Sequence, residues 1–218
     1  MMQRQLRVIP LVAAMAAVSA LSACAPLLLG GAAVSGALMV NDRRTSGTQL
    51  EDEAIELKAG SRLKDALGDT AHLNITSYNR VVLVTGEVAT DADRAKVDTT
   101  VQPIENVRSV VNEAAVAGKS SLTSRSNDTL LTTKVKASLL DAKDIQAQAV
   151  KVITERGNVY LMGRVTEREA SRGVELARGV SGVQKVVRVF EVITEAELAD
   201  LQPKQGQTQS QAQPQPKQ

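Results

Sequence analysis

Residues whose types and spacing could do chemistry are few in this chain. His72 is the sole histidine. It stands at the start of a β-rich run with no second ligand or base nearby, so it reads as a solvated or core-edge residue. No paired carboxylates, no Ser/His/Asp set and no phosphate-cradling loop stand out. Gly30-Gly31 follows no strand and opens no nucleotide site. These features argue against an enzyme, a cofactor and a small-molecule substrate. The distinctive nucleophile is the single cysteine, Cys24, preceded by Leu21-Ser22-Ala23. Arg4 and Arg7 form a basic head, residues 8–20 an uncharged core, and small residues lead into the thiol. That is the layout of a secretory signal peptide.

The four residues ending at Cys24 look like a bacterial lipobox, in which the thiol is acylated and the chain is cut before it. A lone cysteine is often a buried free thiol, but the edge of a signal sequence is the wrong place for one. A single cysteine also excludes an intramolecular disulfide. Residues 25–40 carry no charge, yet they are too few and too rich in Gly, Ala and Ser for a membrane span. They read as an apolar tether at the membrane interface, and residues 41–48, with Arg43-Arg44, as a flexible spacer. At the other end, residues 202–218 are almost wholly Gln, Pro, Lys, Ser, Thr and Gly and cannot build a core.

Trp is absent and the aromatics are Phe190, Tyr78 and Tyr160. A base-stacking nucleic-acid site is therefore excluded, and the near-balanced charge leaves no nucleic-acid footprint. The charge is nonetheless uneven. Residues 51–118 hold 7 Lys/Arg against 12 Asp/Glu, and residues 126–195 hold 11 against 9. Opposite signs suggest different partners for the two halves.

Those halves are copies of one unit. The run Ile75-Thr76-Ser77-Tyr78-Asn79-Arg80-Val81-Val82-Leu83-Val84-Thr85-Gly86 aligns at a constant offset with Val152-Ile153-Thr154-Glu155-Arg156-Gly157-Asn158-Val159-Tyr160-Leu161-Met162-Gly163. In each copy a helix comes first, over 57–67 and 129–140, with Ala59, Leu63 and Leu67 matching Leu131, Val135 and Leu139 on one face. Two β-rich runs follow, split by a tight turn at Asn79-Arg80 or Arg156-Gly157-Asn158. An acidic helix start comes next, Thr90-Asp91 or Thr166-Glu167, and then a third strand over 107–115 or 183–193. The fold class is α+β: a tandem of two αββαβ units, each a helix pair on a three-stranded mixed sheet. Units this small have marginal cores, so packing of one on the other is expected.

The αββαβ order, the Val-rich hairpin ending in Gly and the Gly-Val-x-x-Val third strand (Gly182-Val183-Gln184-Lys185-Val186) resemble the BON domain of bacterial periplasmic proteins. Ser126-Asn127-Asp128-Thr129, Thr132-Thr133-Lys134-Val135 and the run from Val159 to Ala170 resemble the dual-BON outer-membrane lipoproteins associated with division and stress. The resemblance implies a signal peptide over 1–23, a lipidated tether and spacer over 24–50, BON domains over 51–118 and 126–195, a linker over 119–125 and a disordered tail over 196–218. It further implies anchoring on the periplasmic leaflet of the outer membrane of a Gram-negative bacterium. Binding of anionic phospholipid (phosphatidylglycerol or cardiolipin) through the first helix of the second domain, support of envelope integrity and localisation to division sites are implied as well.

The residues of that helix can be read independently. At 100° per residue, Leu131, Val135, Ser138 and Leu139 face the core. The opposite side carries Leu130, Thr133, Ala137 and Leu140, with Lys134 and Lys136 on its flanks. An ordinary surface helix would be charged there. Here the pattern suits leucines that enter a headgroup layer and lysines that snorkel to phosphates. The alternative is that this face packs against the first domain. The corresponding face of the first copy, with Lys58, Ser61, Arg62 and Asp65, reads as more polar. A competing function is a protein adaptor whose acidic first domain docks an outer-membrane assembly factor, with the lipid anchor only localising it.

Overall fold

The computed structural model describes residues 42–201. Cys24, the apolar run 25–40 and the tail 202–218 lie outside the described residues. By its contacts the chain divides into Met1–Asp42 and a compact unit, Arg43–Gln218. Both repeats and all their cores lie within the compact unit.

The first repeat runs α1 (Ser46–Leu67), β1 (His72–Tyr78), β2 (Val81–Val88), α2 (Asp91–Val101), β3 (Ser109–Asn112) and β4 (Ala115–Val116). The second runs α3 (Leu122–Asp141), β5 (Lys151–Glu155), β6 (Asn158–Val165), α4 (Glu167–Arg178) and β7 (Lys185–Val192), and a final helix, α5, spans Glu195–Leu201. In each sheet the hairpin pairs antiparallel and the middle strand pairs in parallel with the last. In the first repeat that last strand is interrupted after Asn112 and resumes as β4 beside Glu87 and Val88.

Both first helices begin earlier than the apolar periodicity indicates, α1 by about three turns and α3 by about two. Thr45 and Ser121 cap them, each accepting a hydrogen bond from the backbone N–H three residues on. The core-facing position nearest each start is an aspartate, so the apolar pattern begins late. Asp52 accepts from Ser77 Oγ at 2.6 Å, Asn79 N at 2.8 Å and Arg80 N at 2.7 Å. Asp128 accepts from Arg156 N at 2.9 Å and Gly157 N at 2.8 Å. Each buried carboxylate thus holds the hairpin turn of its own repeat. The turn residues have positive φ, 49° and 67° at Asn79-Arg80 and 52° and 76° at Arg156-Gly157, the two-residue geometry that matches strand twist. Asn158 is already the first residue of β6.

Gly86 and Gly163 are also equivalent. Their φ values are 106° and 154°, and a Cβ there would come within 2.1 Å of the His72 carbonyl or 2.2 Å of the Ala149 carbonyl. Only glycine lets the neighbouring chain pass so close.

Each helix pair covers one face of its sheet. Ile55, Ala59, Leu63, Val97 and Val101 pack on β2, and Val135, Leu139, Ala170, Val174 and Ala177 pack on β5 and β6. The opposite faces meet each other. Tyr78 and Leu83 from the first sheet join Tyr160, Met162 and Val189 from the second in a third cluster. This explains why β2 and β6 are buried on both faces and read as continuous apolar runs.

The seam uses part of the charge imbalance. Lys151 pairs with Glu56, Arg156 with Glu87 and Lys185 with Glu113, each a base of the second repeat on an acid of the first. Asn74 Nδ2 donates to Glu155 at 2.8 Å, and Asn79 donates to Glu191. Part of the acidity expected to mark a separate partner is therefore directed at the other repeat.

Three boundaries differ from expectation. Residues 43–50 are not a flexible spacer, because Arg43 is buried and α1 starts at Ser46. Both Nη atoms of Arg43 reach Glu169, at 2.7 and 2.8 Å, and the same guanidinium donates to the Arg164 carbonyl and to Gln146 Oε1. The segment 119–125 is only partly a linker, since α3 begins at Leu122. The start of the tail over 196–218 is helical, with Leu198 buried.

Candidate membrane-facing helix

Sheet-to-sheet packing decides how α3 is used. Because the repeats meet through β-strands, the outer face of α3 does not pack on the first domain, which overturns that alternative. Leu130 and Leu140 are 61 % and 63 % exposed, while Leu131, Val135 and Leu139 are buried beneath them. Thr133, Lys134, Lys136 and Ala137 are exposed as well, and Ser138 is half-buried at the edge of the core stripe.

The earlier start of the helix extends the outer stripe. Leu122, 78 % exposed, falls in line with Leu140 and is a residue that the shorter helix expected from periodicity did not include. On a regular helix Leu122, Ser126, Thr129, Leu130, Thr133, Ala137 and Leu140 form an uncharged strip about 27 Å long. The threonines add little polarity. Thr129 Oγ1 donates to the Arg125 carbonyl and Thr133 Oγ1 to the Thr129 carbonyl, both at 3.0 Å. Among the described residues the lysines in ion pairs are Lys58, Lys151 and Lys185, which leaves Lys134 and Lys136 uncommitted at the flanks of the strip.

The 76 residues that relate Asp52 to Asp128 make Ile55, Ala59 and Leu63, not the expected Ala59, Leu63 and Leu67, the equivalents of Leu131, Val135 and Leu139. The outer face of α1 is therefore turned from the expected one and is less polar. Leu50 and Leu57, 67 % and 77 % exposed, project from α1. The two helices still differ in charge. α1 carries five acids against three bases, and α3 carries three bases against two acids, one of which is the buried Asp128. An anionic surface would attract α3 and repel α1.

His72 opens β1 and is half-buried, and no cluster of His, Cys, Asp and Glu able to hold a metal occurs among the described residues. No described helix is long and apolar enough to cross a membrane.

The sequence profile of the BON domain matches residues 51–118 and 127–194. The chain belongs to the BON-domain family. It is 37 % identical over 175 residues to Outer membrane lipoprotein DolP of Haemophilus influenzae, covering 79 % of this chain and 90 % of that protein. It is 35 % identical over 154 residues to the 21 kDa hemolysin of Actinobacillus pleuropneumoniae, covering 70 % and 79 %. With the Osmotically-inducible protein Y of Escherichia coli it shares 28 % identity over 144 residues, covering 64 % and 72 %. The two BON domains pack sheet to sheet, and α3 is the first helix of the second. Buried Asp52 and Asp128 are features of these BON domains that periodicity alone misses, although both precede their apolar stripe by three residues.

Proposed function

We propose that this protein is an outer-membrane lipoprotein, anchored through acylated Cys24, whose second BON domain recognises anionic phospholipid through α3. The outer strip carries this reading: Leu130, Thr133, Ala137 and Leu140 lie open and uncharged, flanked by Lys134 and Lys136 without ion-pair partners. The name of the Haemophilus relative supports the outer-membrane address. Placement on the periplasmic leaflet, enrichment at division sites and support of envelope integrity belong to the same proposal.

Magnitudes define the role of the helix. Transfer of Leu130 and Leu140 into the acyl boundary is worth about 1.5 kcal/mol each, and two lysines at an anionic surface add about 1 kcal/mol each. A total of about 5 kcal/mol corresponds to a dissociation constant in the high micromolar range. That is too weak to anchor a free protein. For a chain already acylated to the membrane it is enough to bias where on that membrane the protein collects.

Co-sedimentation of the compact unit, residues 43–218, with phosphatidylglycerol vesicles and with neutral phosphatidylcholine vesicles tests this. The expected result is a preference for the anionic vesicles that Leu140→Glu diminishes. Equal binding to both vesicles, or no loss with Leu140→Glu, refutes it. The adaptor reading instead expects capture of an assembly factor that depends on the first domain alone.

A further inference from the structure

One corner of the seam between the two sheets holds more acid than base. Alternate residues of a strand share a face. His72 on β1 and Glu87 on β2 therefore lie on the seam side with Tyr78 and Leu83, and Glu155 on β5 lies there with Ile153. His72 and Glu87 are direct partners in the β1–β2 register. Glu155 reaches the same corner from the second domain, where Asn74 Nδ2 donates to it at 2.8 Å. A charge on His72 acts on the Glu155 carboxyl as well. The sole histidine of the chain thus stands among carboxylates of both domains.

Few cations balance those carboxylates. Glu87 is 1 % exposed, with Oε1 3.4 Å from Arg156 Nη1 and Oε2 without a hydrogen-bond partner. A buried oxygen that lacks its donor is costly and rare. Glu155 is also buried, and its hydrogen bond comes from the neutral Asn74 amide. Asp128 acts on Glu155 from α3, and both its oxygens are committed to Arg156 N and Gly157 N. The nearby bases are engaged elsewhere: Lys151 pairs with Glu56 and Lys185 with Glu113. Away from the seam, His72 borders a groove with Lys64 and Asp69, and Lys119 donates to the Asp69 carbonyl. Burial first, then the charges of Glu87 and Asp128, hold the Glu155 carboxyl above 4.5 against the Asn74 bond.

A proton supplies what this corner lacks, either positive charge on the imidazole or a donor on a carboxyl. Histidine is the side chain whose charge ordinarily changes between pH 5 and 8, and groups that interact strongly titrate as a unit. We propose that His72, Glu87 and Glu155 form a proton-operated clasp across the seam: as pH falls the cluster takes up a proton, and the docking of the two BON domains tightens. The direction follows from linkage. Drawing the sheets apart returns the carboxylates to water, so the docked state binds more protons and acid favours it. Where one proton is taken up, the opening equilibrium of the seam falls by up to about tenfold per pH unit. The clasp does not depend on which surface α3 touches.

A thiol in the seam reads the opening. Residues 43–218 contain no cysteine, so Val189→Cys places a single reporter in the seam cluster. Its rate of disulfide-exchange labelling, corrected at each pH by the rate for the same chain unfolded, measures how often the seam opens. Labelling is expected to be about fivefold slower at pH 5.5 than at pH 7.5. His72→Gln or Glu155→Gln should each shrink that difference, and the two together should remove it. A second measurement needs no thiol. The Glu155 carboxyl, followed by NMR, should titrate at higher pH once His72→Gln removes the facing imidazolium. Labelling that ignores pH, a double variant that keeps the full response, or a Glu155 carboxyl indifferent to His72→Gln overturns the proposal. Should Val189→Cys fold poorly, the carboxyl titration decides alone.

Discussion

Replacing Arg43 with methionine removes a cation that lies 126 residues in sequence from its partner and only 2.7 Å from it in space. The two side chains are 6 % and 4 % exposed, so Glu169 would keep its burial and lose its counter-charge. Its remaining partner is Thr166 N, whose N–H it accepts at 3.0 Å within the capping box of α4. Breaking a buried pair from one side costs about 3–5 kcal/mol. For a unit of this size, 3 kcal/mol lowers the thermal midpoint by roughly 6–12 °C. The pH dependence has a definite sign. Burial pushes the Glu169 carboxyl up, but the Arg43 and Thr166 hydrogen bonds outweigh burial and hold it below its ordinary value of 4.5. In the wild type, stability from this group is therefore full above pH 4.5 and is lost as pH falls through the depressed value. In the variant burial goes unopposed by Arg43, so the carboxyl protonates more readily and the deficit shrinks below pH 4.5. Thermal denaturation of residues 43–218 at pH 7 and near pH 4 reads both effects. A midpoint within 2 °C of wild type at pH 7, or a deficit of equal size at both pH values, refutes the reasoning.

Two further outcomes follow from the packing. Gly163→Ala must move either the Ala149 carbonyl or β6, because the new Cβ would sit 2.2 Å from that oxygen in a backbone with φ of 154°. A loss of more than about 3 kcal/mol is expected, read as insoluble protein or a collapsed denaturation midpoint, whereas Gly118→Ala, with open space around it, should be silent. Glu155→Gln concerns the seam. Burial first, then the charges of Glu87 and Asp128, raise the Glu155 carboxyl above 4.5 despite the Asn74 hydrogen bond. Stability is therefore lost as pH rises from 4.5 through the raised value, and glutamine, which can still accept from Asn74, should stabilise the unit at pH 7 and make no difference below pH 4.5. Denaturation midpoints across pH 4 to 8 check this.

What the sequence made legible was local. The repeat, the hairpins and the Leu131-Val135-Leu139 stripe announce themselves within a few residues, and each lies where periodicity puts it. The starts of α1 and α3 were hidden because Asp52 and Asp128 take core-facing positions that a hydropathy pattern scores as surface. Their reward, the hairpin-turn amides, lies 27 to 29 residues away. Arg43 gave no signal, since a basic residue in a polar segment cannot reveal a partner in α4. The charge imbalance was visible, but its meaning depended on which acids face Lys151, Arg156 and Lys185 across the seam. On α3 the strip could be read from spacing. Its openness could not, because that follows from the domains meeting through their sheets.

That meeting has an architectural consequence. With helices outside both sheets, the layers run helix, strand, strand, helix, and the molecule has two outward faces pointing away from one another. A flat surface can touch one of them. In the membrane-bound state proposed above, the side bearing Leu122, Leu130 and Leu140 faces the bilayer and the side bearing Leu50 and Leu57 is turned away from it. The tandem repeat thus gives the described residues a floor and a roof. Because the seam is apolar and cross-linked by ion pairs, whatever tilts the floor tilts the roof with it.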